Sequence, residues 1–232
     1  MGGKYGKFVL ALLIIGNFIS IEINTDELKA GYETVRNAIS NIFKPSESSK
    51  PDIEKLKILV EEADRLYKAQ DFYNLIEVTN EIIRLAPDFS EAYNLRGIAY
   101  KNLKQYDKAL ENYNTVIELD PNSDGAYNNR GSLYKDLKEY EWALEDFLRA
   151  IEINENNYAV YANVGEIFYE LGDYPKAIDF LNKSIELGSQ QGIADKDLGE
   201  ILYYRGLAHM KAGNKRQGQS DLIKSKELGY PD

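Results

Sequence analysis

The residue types that most often carry out catalysis or bind metals are scarce in this chain. It contains no cysteine and a single histidine, His209, so neither a thiolate metal site nor a histidine cluster can form. No nucleophile motif stands beside His209, and no glycine-rich loop joins a strand pattern to a helix pattern to hold phosphate. The acidic pairs, Glu118 with Asp120 and Glu152 with Glu155, fall at predicted helix ends, where solvated carboxylates are common. The sequence therefore predicts a non-catalytic protein with no cofactor and no metal.

The charge balance restricts the class of partner. The chain of 232 residues has 28 Lys and Arg against 38 Asp and Glu, giving a formal net charge of -10 and a pI near 4.8. Sequence-independent binding to nucleic acid requires clustered cations that neutralise phosphates. Nucleic acid is therefore not expected as a partner. The expected partner is a protein or a peptide.

The first residues, 1–24, have the composition of a signal or membrane-anchor segment. The apolar run 8–21 is preceded by Lys4 and Lys7 and followed by Glu22. The positive-inside tendency predicts an N-terminus inside the cytoplasm and the rest of the chain outside it, exported or membrane-anchored. As a helix the run would reach only about 21 Å, and no small-residue cleavage pattern follows it. The alternative is that this segment packs on the protein itself and that the protein is cytoplasmic.

Residues 25–43 predict an amphipathic helix that begins at the capping residue Thr25. Its apolar stripe consists of Leu28, Tyr32, Val35, Ile39 and Ile42. Such a stripe is usually buried, so we expect it to dock on the structure that follows. The alternatives are a homo-oligomer formed through residues 28–42 and contact with a membrane surface. A polar, proline-bounded linker is predicted at 44–52.

Beyond the linker, the sequence repeats itself at intervals of 34 residues. Four columns show the period: Gly97, Gly131 and Gly165; Tyr93, Tyr127 and Tyr161; Tyr106, Tyr140 and Tyr174; Ala109, Ala143 and Ala177. A repeat of this length indicates a solenoid of small helical units, none of which can bury its apolar face alone. Within a unit, the small Gly97 and Ala109 predict a close approach of two helices.

The residues in these columns resemble the tetratricopeptide repeat family. Seven residues of the second unit match the signature positions: Tyr93, Gly97, Tyr100, Tyr106, Ala109, Tyr113 and Pro121. The resemblance implies an all-α, right-handed α-solenoid of about five helix pairs over residues 53–232. The expected units are about 56–89, 90–123, 124–157, 158–191 and 199–232.

Two local features qualify this pattern. Gly206 follows Gly165 by 41 residues rather than 34, so we expect the extra residues around 189–193 to form a longer loop. His209 stands in the column of Tyr100 and Tyr134, which predicts that it fills the same ring position between helices.

The resemblance also implies a binding groove, since in this family the first helix of each pair lines a concave surface. The residues at the matching positions are Asn94, Ile98, Lys101, Asn102, Asn128, Asn129, Ser132, Lys135, Asn163, Glu166, Tyr169, Tyr203 and Leu207. Asn129 and Asn163 fall where some family members carry an asparagine ladder whose amides bind a peptide backbone. Leu95 and Tyr204 interrupt that ladder, so ordinary solvated polar side chains are the alternative. The cations of the family's carboxylate clamp are absent.

These observations predict an interaction adaptor or scaffold that binds a peptide segment or a partner helix in the groove. The alternatives are a structural scaffold that self-assembles through residues 28–42 and an accessory domain of an enzyme complex.

Overall fold

The computed structural model describes residues 50–230, and within them every regular element is an α-helix. The ten helices are α1 (Lys50–Lys68), α2 (Phe72–Leu85), α3 (Ser90–Asn102), α4 (Tyr106–Leu119), α5 (Asp124–Asp136), α6 (Tyr140–Ile153), α7 (Tyr158–Glu170), α8 (Tyr174–Gln191), α9 (Asp195–Lys211) and α10 (Lys215–Glu227). The predicted all-α fold is confirmed. The predicted segment 1–24, the helix 25–43 and most of the linker lie outside the described residues.

The helices belong to two compact units, and the boundary between them along the chain lies between Leu119 and Asp120. The described part of the first unit contains α1 to α4, and that of the second contains α5 to α10. Within each unit, consecutive helices pack against each other across connections of three or four residues, which makes neighbours antiparallel. In the second unit α7 also contacts both α5 and α9, so the first helices of three pairs lie side by side.

Glycine allows the two helices of a pair to approach closely, as the sequence predicts. A Cβ atom at Gly97 would lie 2.6 Å from Cε1 of Tyr113, and one at Gly131 would lie 2.9 Å from Cε1 of Phe147. Both rings are completely buried. The repeating glycine therefore provides the space that the aromatic ring of the second helix occupies.

A buried polar link joins the helices of several pairs. The Arg130 guanidinium donates two hydrogen bonds to Asp146, at 2.8 and 2.7 Å, and Arg205 binds Asp221 in the same way at 2.7 Å for both bonds. Two bonds in a fixed fork restrict the rotation of one helix against the other. In the α7–α8 pair, Val164 and Phe180 occupy the corresponding positions, inside an apolar cluster.

The turn that precedes α8 combines a glycine, a capping aspartate and a proline. Gly172 adopts a positive φ of 79°, and the Asp173 carboxylate accepts a hydrogen bond from the backbone N–H of Lys176. Pro175 lies in the first turn of α8, where its missing N–H has no helical partner to lose. The same turn is made in other pairs by Lys104 and Lys138, with φ of 58° and 63°. The turn therefore does not require glycine.

The expectation of a longer loop near residues 189–193 is wrong. The extra residues near 189–193 do not form a loop, because α8 continues to Gln191 and α9 begins at Asp195. They lengthen the helices instead: α8 has 18 residues and α9 has 17. Gly192, with φ of 73°, ends α8, and the Ile193 N–H then bonds the Gly188 carbonyl at 2.9 Å. At the other end of the fold, α1 begins at Lys50, inside the predicted linker.

No helix between residues 50 and 230 has the length and apolar character needed to cross a membrane.

Candidate protein-interaction face

The first helices of the second unit, α5, α7 and α9, present one continuous side, which we call the first-helix face. It holds nine of the thirteen predicted groove residues, all of them half-buried: Asn128, Asn129, Ser132, Lys135, Asn163, Glu166, Tyr169, Tyr203 and Leu207. The other four, Asn94, Ile98, Lys101 and Asn102, lie on α3 of the first unit. The structure therefore brings most of the predicted residues to neighbouring helices.

Lys135 is the centre of a polar network between α5 and α7. Its ammonium donates a hydrogen bond to Oδ1 of Asn163 at 2.9 Å and another to the Glu166 carboxylate. The Nδ2 group of Asn163 donates to Oδ1 of Asn128 at 3.2 Å. Both ends of the Asn163 amide are thus engaged by side chains, so a peptide backbone bound there would have to exchange these bonds. Asn128 is thus a direct neighbour of Asn163 across the two helices.

Four tyrosines form a second cluster on α7, α9 and the residues that follow α10. The ring centroids of Tyr169 and Tyr204 are 6.0 Å apart at an interplanar angle of 67°, and those of Tyr203 and Tyr204 are 5.6 Å apart at 81°. The ring centroid of Tyr230 lies 5.2 Å from that of Tyr203. We call these four residues the tyrosine cluster. All four rings are half-buried, so each combines a packed part with an accessible part.

Carboxylates surround the tyrosine cluster. Burial, and then the charge of Glu166, raise the pKa of the Tyr204 phenol well above its usual range. Burial and then the charge of Glu200 raise the pKa of Tyr230. The pKa of Glu200 is itself raised, by burial and by the nearby Glu166. Burial is the main cause of all three shifts, and the neighbouring carboxylates add to it, because negative charge disfavours further ionisation of an acid.

The same pattern continues toward the start of α7. The Tyr158 hydroxyl donates to Oδ2 of Asp197 at 3.2 Å, and burial together with the Asp197 charge raises the pKa of Tyr158 to about 12. Tyrosine rings and acidic side chains therefore lie next to each other at this contact between α7 and α9 as well.

A small polar pocket opens beside the Lys135 network, with a volume of about 280 Å³. It is lined by Lys135, Asp136, Lys138, Tyr140, Glu166, Ile167 and Glu170. This volume lies below the range usual for sites of drug-sized ligands, and it suits a single side chain of a partner. Burial, and then the charges of Glu170 and Glu166, raise the pKa of Tyr140.

The α3 residues of the first unit have local partners. Nδ2 of Asn102 donates to the Ile98 carbonyl of its own helix at 2.9 Å, and Nδ2 of Asn94 donates to Oε1 of Glu91 at 3.3 Å. Burial raises the pKa of Glu91 to about 7, against the opposing effect of the bond from Asn94. Glu91 is consequently poised to change its charge near neutral pH, a property that its sequence position alone did not indicate.

The described residues offer little chemistry outside this face. Within residues 50–230, no group of three or more His, Cys, Asp or Glu side chains could hold a metal ion. His209 is half-buried, and burial is the main cause of a lowered imidazole pKa. Its Nδ1 lies 3.4 Å from Nδ2 of Asn214.

Comparison with known proteins identifies the repeat. Models of the tetratricopeptide repeat match residues 90–123, 125–157 and 158–189. These spans contain the columns of glycine, tyrosine and alanine, together with the helix pairs α3–α4, α5–α6 and α7–α8. Residues 90–189 therefore consist of tetratricopeptide repeats, and the presence of these repeats supports a role in protein–protein interaction.

Solved structures show the same fold in distant relatives. PilF of Pseudomonas aeruginosa superposes with a TM-score of 0.68 at 14% identity, over 79% of this chain and 80% of that one. MamA of Desulfovibrio magneticus RS-1 gives 0.61 at 19% identity, over 75% and 94% of the two chains. YrrB, described as a TPR protein with an unusual peptide-binding site, gives 0.53 at 17% identity, over 72% and 82%. Among curated proteins, none matches the chain by sequence.

Proposed function

We propose that this protein is a non-catalytic adaptor that binds a segment of a partner protein on the first-helix face. The observation that carries the proposal is the side-by-side arrangement of α5, α7 and α9, which present the Lys135 network and the tyrosine cluster on one surface. Half-buried tyrosines supply large contact area with few rotatable bonds, and they are enriched where proteins bind each other. The described peptide-binding site of YrrB, which shares the fold, supports the same use of this architecture.

The Lys135 network suits reversible binding. An Asn amide can donate and accept, so a partner backbone can replace Asn128 and Lys135 as the partners of Asn163. Exchanging one set of hydrogen bonds for another changes the free energy little, provided that no buried group is left unpaired. The network keeps the polar groups paired in the free protein and offers them to a ligand.

Photo-crosslinking tests this assignment. A photoreactive phenylalanine analogue is placed at Ser132 or Leu207 on the first-helix face, and as matched controls at Glu145 of α6 or Asp179 of α8, which are exposed. After irradiation in native cell extract, we expect the same partner to be joined to both first-helix positions and not to the controls. Equal crosslinking from α6 and α8 would place the interface on the second helices instead.

We further propose that residues 1–24 export the protein or anchor it in a membrane, with the repeats outside the cytoplasm. The support for this is the apolar run 8–21 with Lys4 and Lys7 before it. On this proposal the adaptor holds its partner at or beyond a membrane surface.

A further inference from the structure

The tyrosine cluster has a chemistry that indicates which side chains it binds. We propose that it receives a lysine or arginine side chain from an extended segment of the partner protein, between the rings of Tyr169, Tyr203 and Tyr204. This inference rests on the proposed adaptor function and specifies the chemistry of the bound segment.

The first argument is the geometry of the rings. Tyr204 meets Tyr169 at 67° and Tyr203 at 81°, so the three rings form walls at steep angles and are not a parallel stack. Rings that stand steeply to one another can surround a cation with their electron-rich faces, which is how aromatic cages hold ammonium groups. Because the rings are half-buried and packed together, little conformational freedom is lost when a ligand enters.

The second argument is charge. Four carboxylates, those of Glu166, Glu170, Asp197 and Glu200, act on the rings of this face. Lys135 and Lys196 act on Glu200, and the pocket that contains Glu166 and Glu170 is also lined by Lys138 and Asp136. The bond from Lys135 to Glu166 occupies one of the cations. The surplus negative charge favours a cationic ligand and disfavours an anionic or purely apolar one.

The third argument is that the chain pairs cations with rings at other positions. The Lys108 ammonium lies 5.2 Å from the Tyr100 ring centroid, and the Lys176 ammonium lies 5.1 Å from that of Phe168. None of the cation–ring contacts within residues 50–230 involves the four rings of the tyrosine cluster. The cluster therefore presents rings in a negative environment to a cation that a partner would supply.

Fluorescence anisotropy on the full-length protein tests the proposal. The probe is a short fluorescein-labelled peptide of alternating arginine and serine, and its matched control replaces every arginine by citrulline, which has the same shape without the charge. We expect the arginine peptide to bind and the citrulline peptide to bind at least about tenfold more weakly. Added salt should weaken the binding, because the carboxylates are partly exposed to solvent.

Variants assign the binding to the cluster. Tyr204→Leu should weaken it about threefold to thirtyfold, while Tyr204→Phe, which keeps the ring, should retain most of it. Glu200→Gln removes one of the carboxylate charges with little change of shape and should weaken binding about twofold to fivefold. The controls are Tyr73→Leu on α2, whose ring is 72% exposed, and Glu145→Gln on α6. We expect neither control to change the affinity.

Several results would overturn the inference: equal binding of the citrulline peptide, equal losses from the control variants, or no binding up to about 1 mM peptide. Self-association that Tyr204→Leu abolishes in light scattering would also overturn it, in favour of a second copy of the chain as the occupant. The crosslinking experiment separates this inference from the proposed function. Crosslinks from Ser132 and Leu207 without arginine binding would reject the cationic ligand alone, and failure of both experiments would reject the adaptor assignment as well.

Discussion

Arg130 and Asp146 form a buried pair with two hydrogen bonds between the helices α5 and α6. The Asp146 side chain is only 5% exposed and that of Arg130 is 22% exposed. The guanidinium also lies over the Tyr127 ring, 5.7 Å from its centroid. In the next helix pair, Val164 and Phe180 take the two positions without any charge. Equivalent positions between the two helices of a pair are therefore occupied by a charged pair in α5–α6 and by an apolar pair in α7–α8.

The first prediction uses this comparison. Asp146→Ala should lower the free energy of unfolding by roughly 3 to 5 kcal/mol, because it leaves the Arg130 charge half-buried and without its partner. Urea denaturation followed by circular dichroism measures the loss. The double variant Arg130→Val with Asp146→Phe copies the α7–α8 pair and should recover most of the stability. If the double variant is as unstable as Asp146→Ala, the charge pair supplies more than a replaceable link.

The second prediction concerns the close approach of α5 and α6. Gly131→Leu should destabilise the fold by roughly 1 to 3 kcal/mol, since even a Cβ atom there would lie 2.9 Å from the buried Phe147 ring. Gly125→Leu is the matched control, because the same helix has nothing within 4 Å of a Cβ at this position. Thermal melts of both variants make the comparison. Equal losses would show that the effect is not caused by contact with Phe147.

This fold can be predicted from the sequence because its packing requirements recur as periodic residues. Gly97, Gly131 and Gly165 recur because every pair needs the same space for a ring or a leucine of its second helix, and that physical requirement is visible as a period. The prediction of a longer loop near 189–193 is wrong because an insertion can lengthen the two flanking helices instead of the loop between them. Ile193 packs against Gly188 at the end of α8, a tertiary contact without a local signal.

The candidate site was less predictable than the fold. Its position on α5, α7 and α9 follows from the repeat, but the partners of each side chain depend on rotamers. Asn163 bonds Asn128 and Lys135, although Asn129 shares its repeat column. Tyr230 could not be found by periodicity, because it follows the last helix and joins the cluster only through the folded chain.

The third prediction is a dependence of stability on pH that originates at Glu91. Its pKa is raised to about 7 in the folded protein from an ordinary value of 4.5, so the folded state holds this proton more tightly than the unfolded state. The contribution of Glu91 to stability is therefore lost as pH rises from about 4.5 through 7. Glu91→Gln should remove this loss and stabilise the protein at pH 8 by roughly 1 to 2 kcal/mol, with little effect at pH 4.5.

Urea denaturation at both pH values measures this effect. The exposed Glu111→Gln on α4 serves as the control, and it should change stability equally at the two pH values. A Glu91→Gln variant whose stability gain is the same at pH 4.5 and pH 8 would show that folding does not shift the pKa of Glu91.

The fourth prediction concerns residues 1–24. A topology reporter fused after the last residue should be active outside the cytoplasm, because Lys4 and Lys7 precede the apolar run 8–21. Replacing both lysines by glutamate should reduce or invert this orientation. Recovery of the unaltered protein entirely in the cytosolic fraction, with the reporter cytoplasmic, would instead mean that the apolar run packs on the protein.

The last prediction joins the Lys135 network to the tyrosine cluster. Lys135→Met keeps most of the side-chain volume but removes the ammonium that binds both Glu166 and Asn163. Glu166 then carries a half-buried charge without the ammonium that neutralises it, so the free energy of unfolding should fall by roughly 1 to 3 kcal/mol. The same change adds to the negative potential at the tyrosine cluster, so the arginine peptide should bind about twofold to tenfold more tightly. Stability and affinity should therefore change in opposite directions.

Lys138→Met, at an exposed position in the same pocket, is the matched control and should alter both quantities less. If Lys135→Met weakens the binding of the arginine peptide, then Lys135 contacts the ligand directly and the cation is not held by Glu166 and the rings.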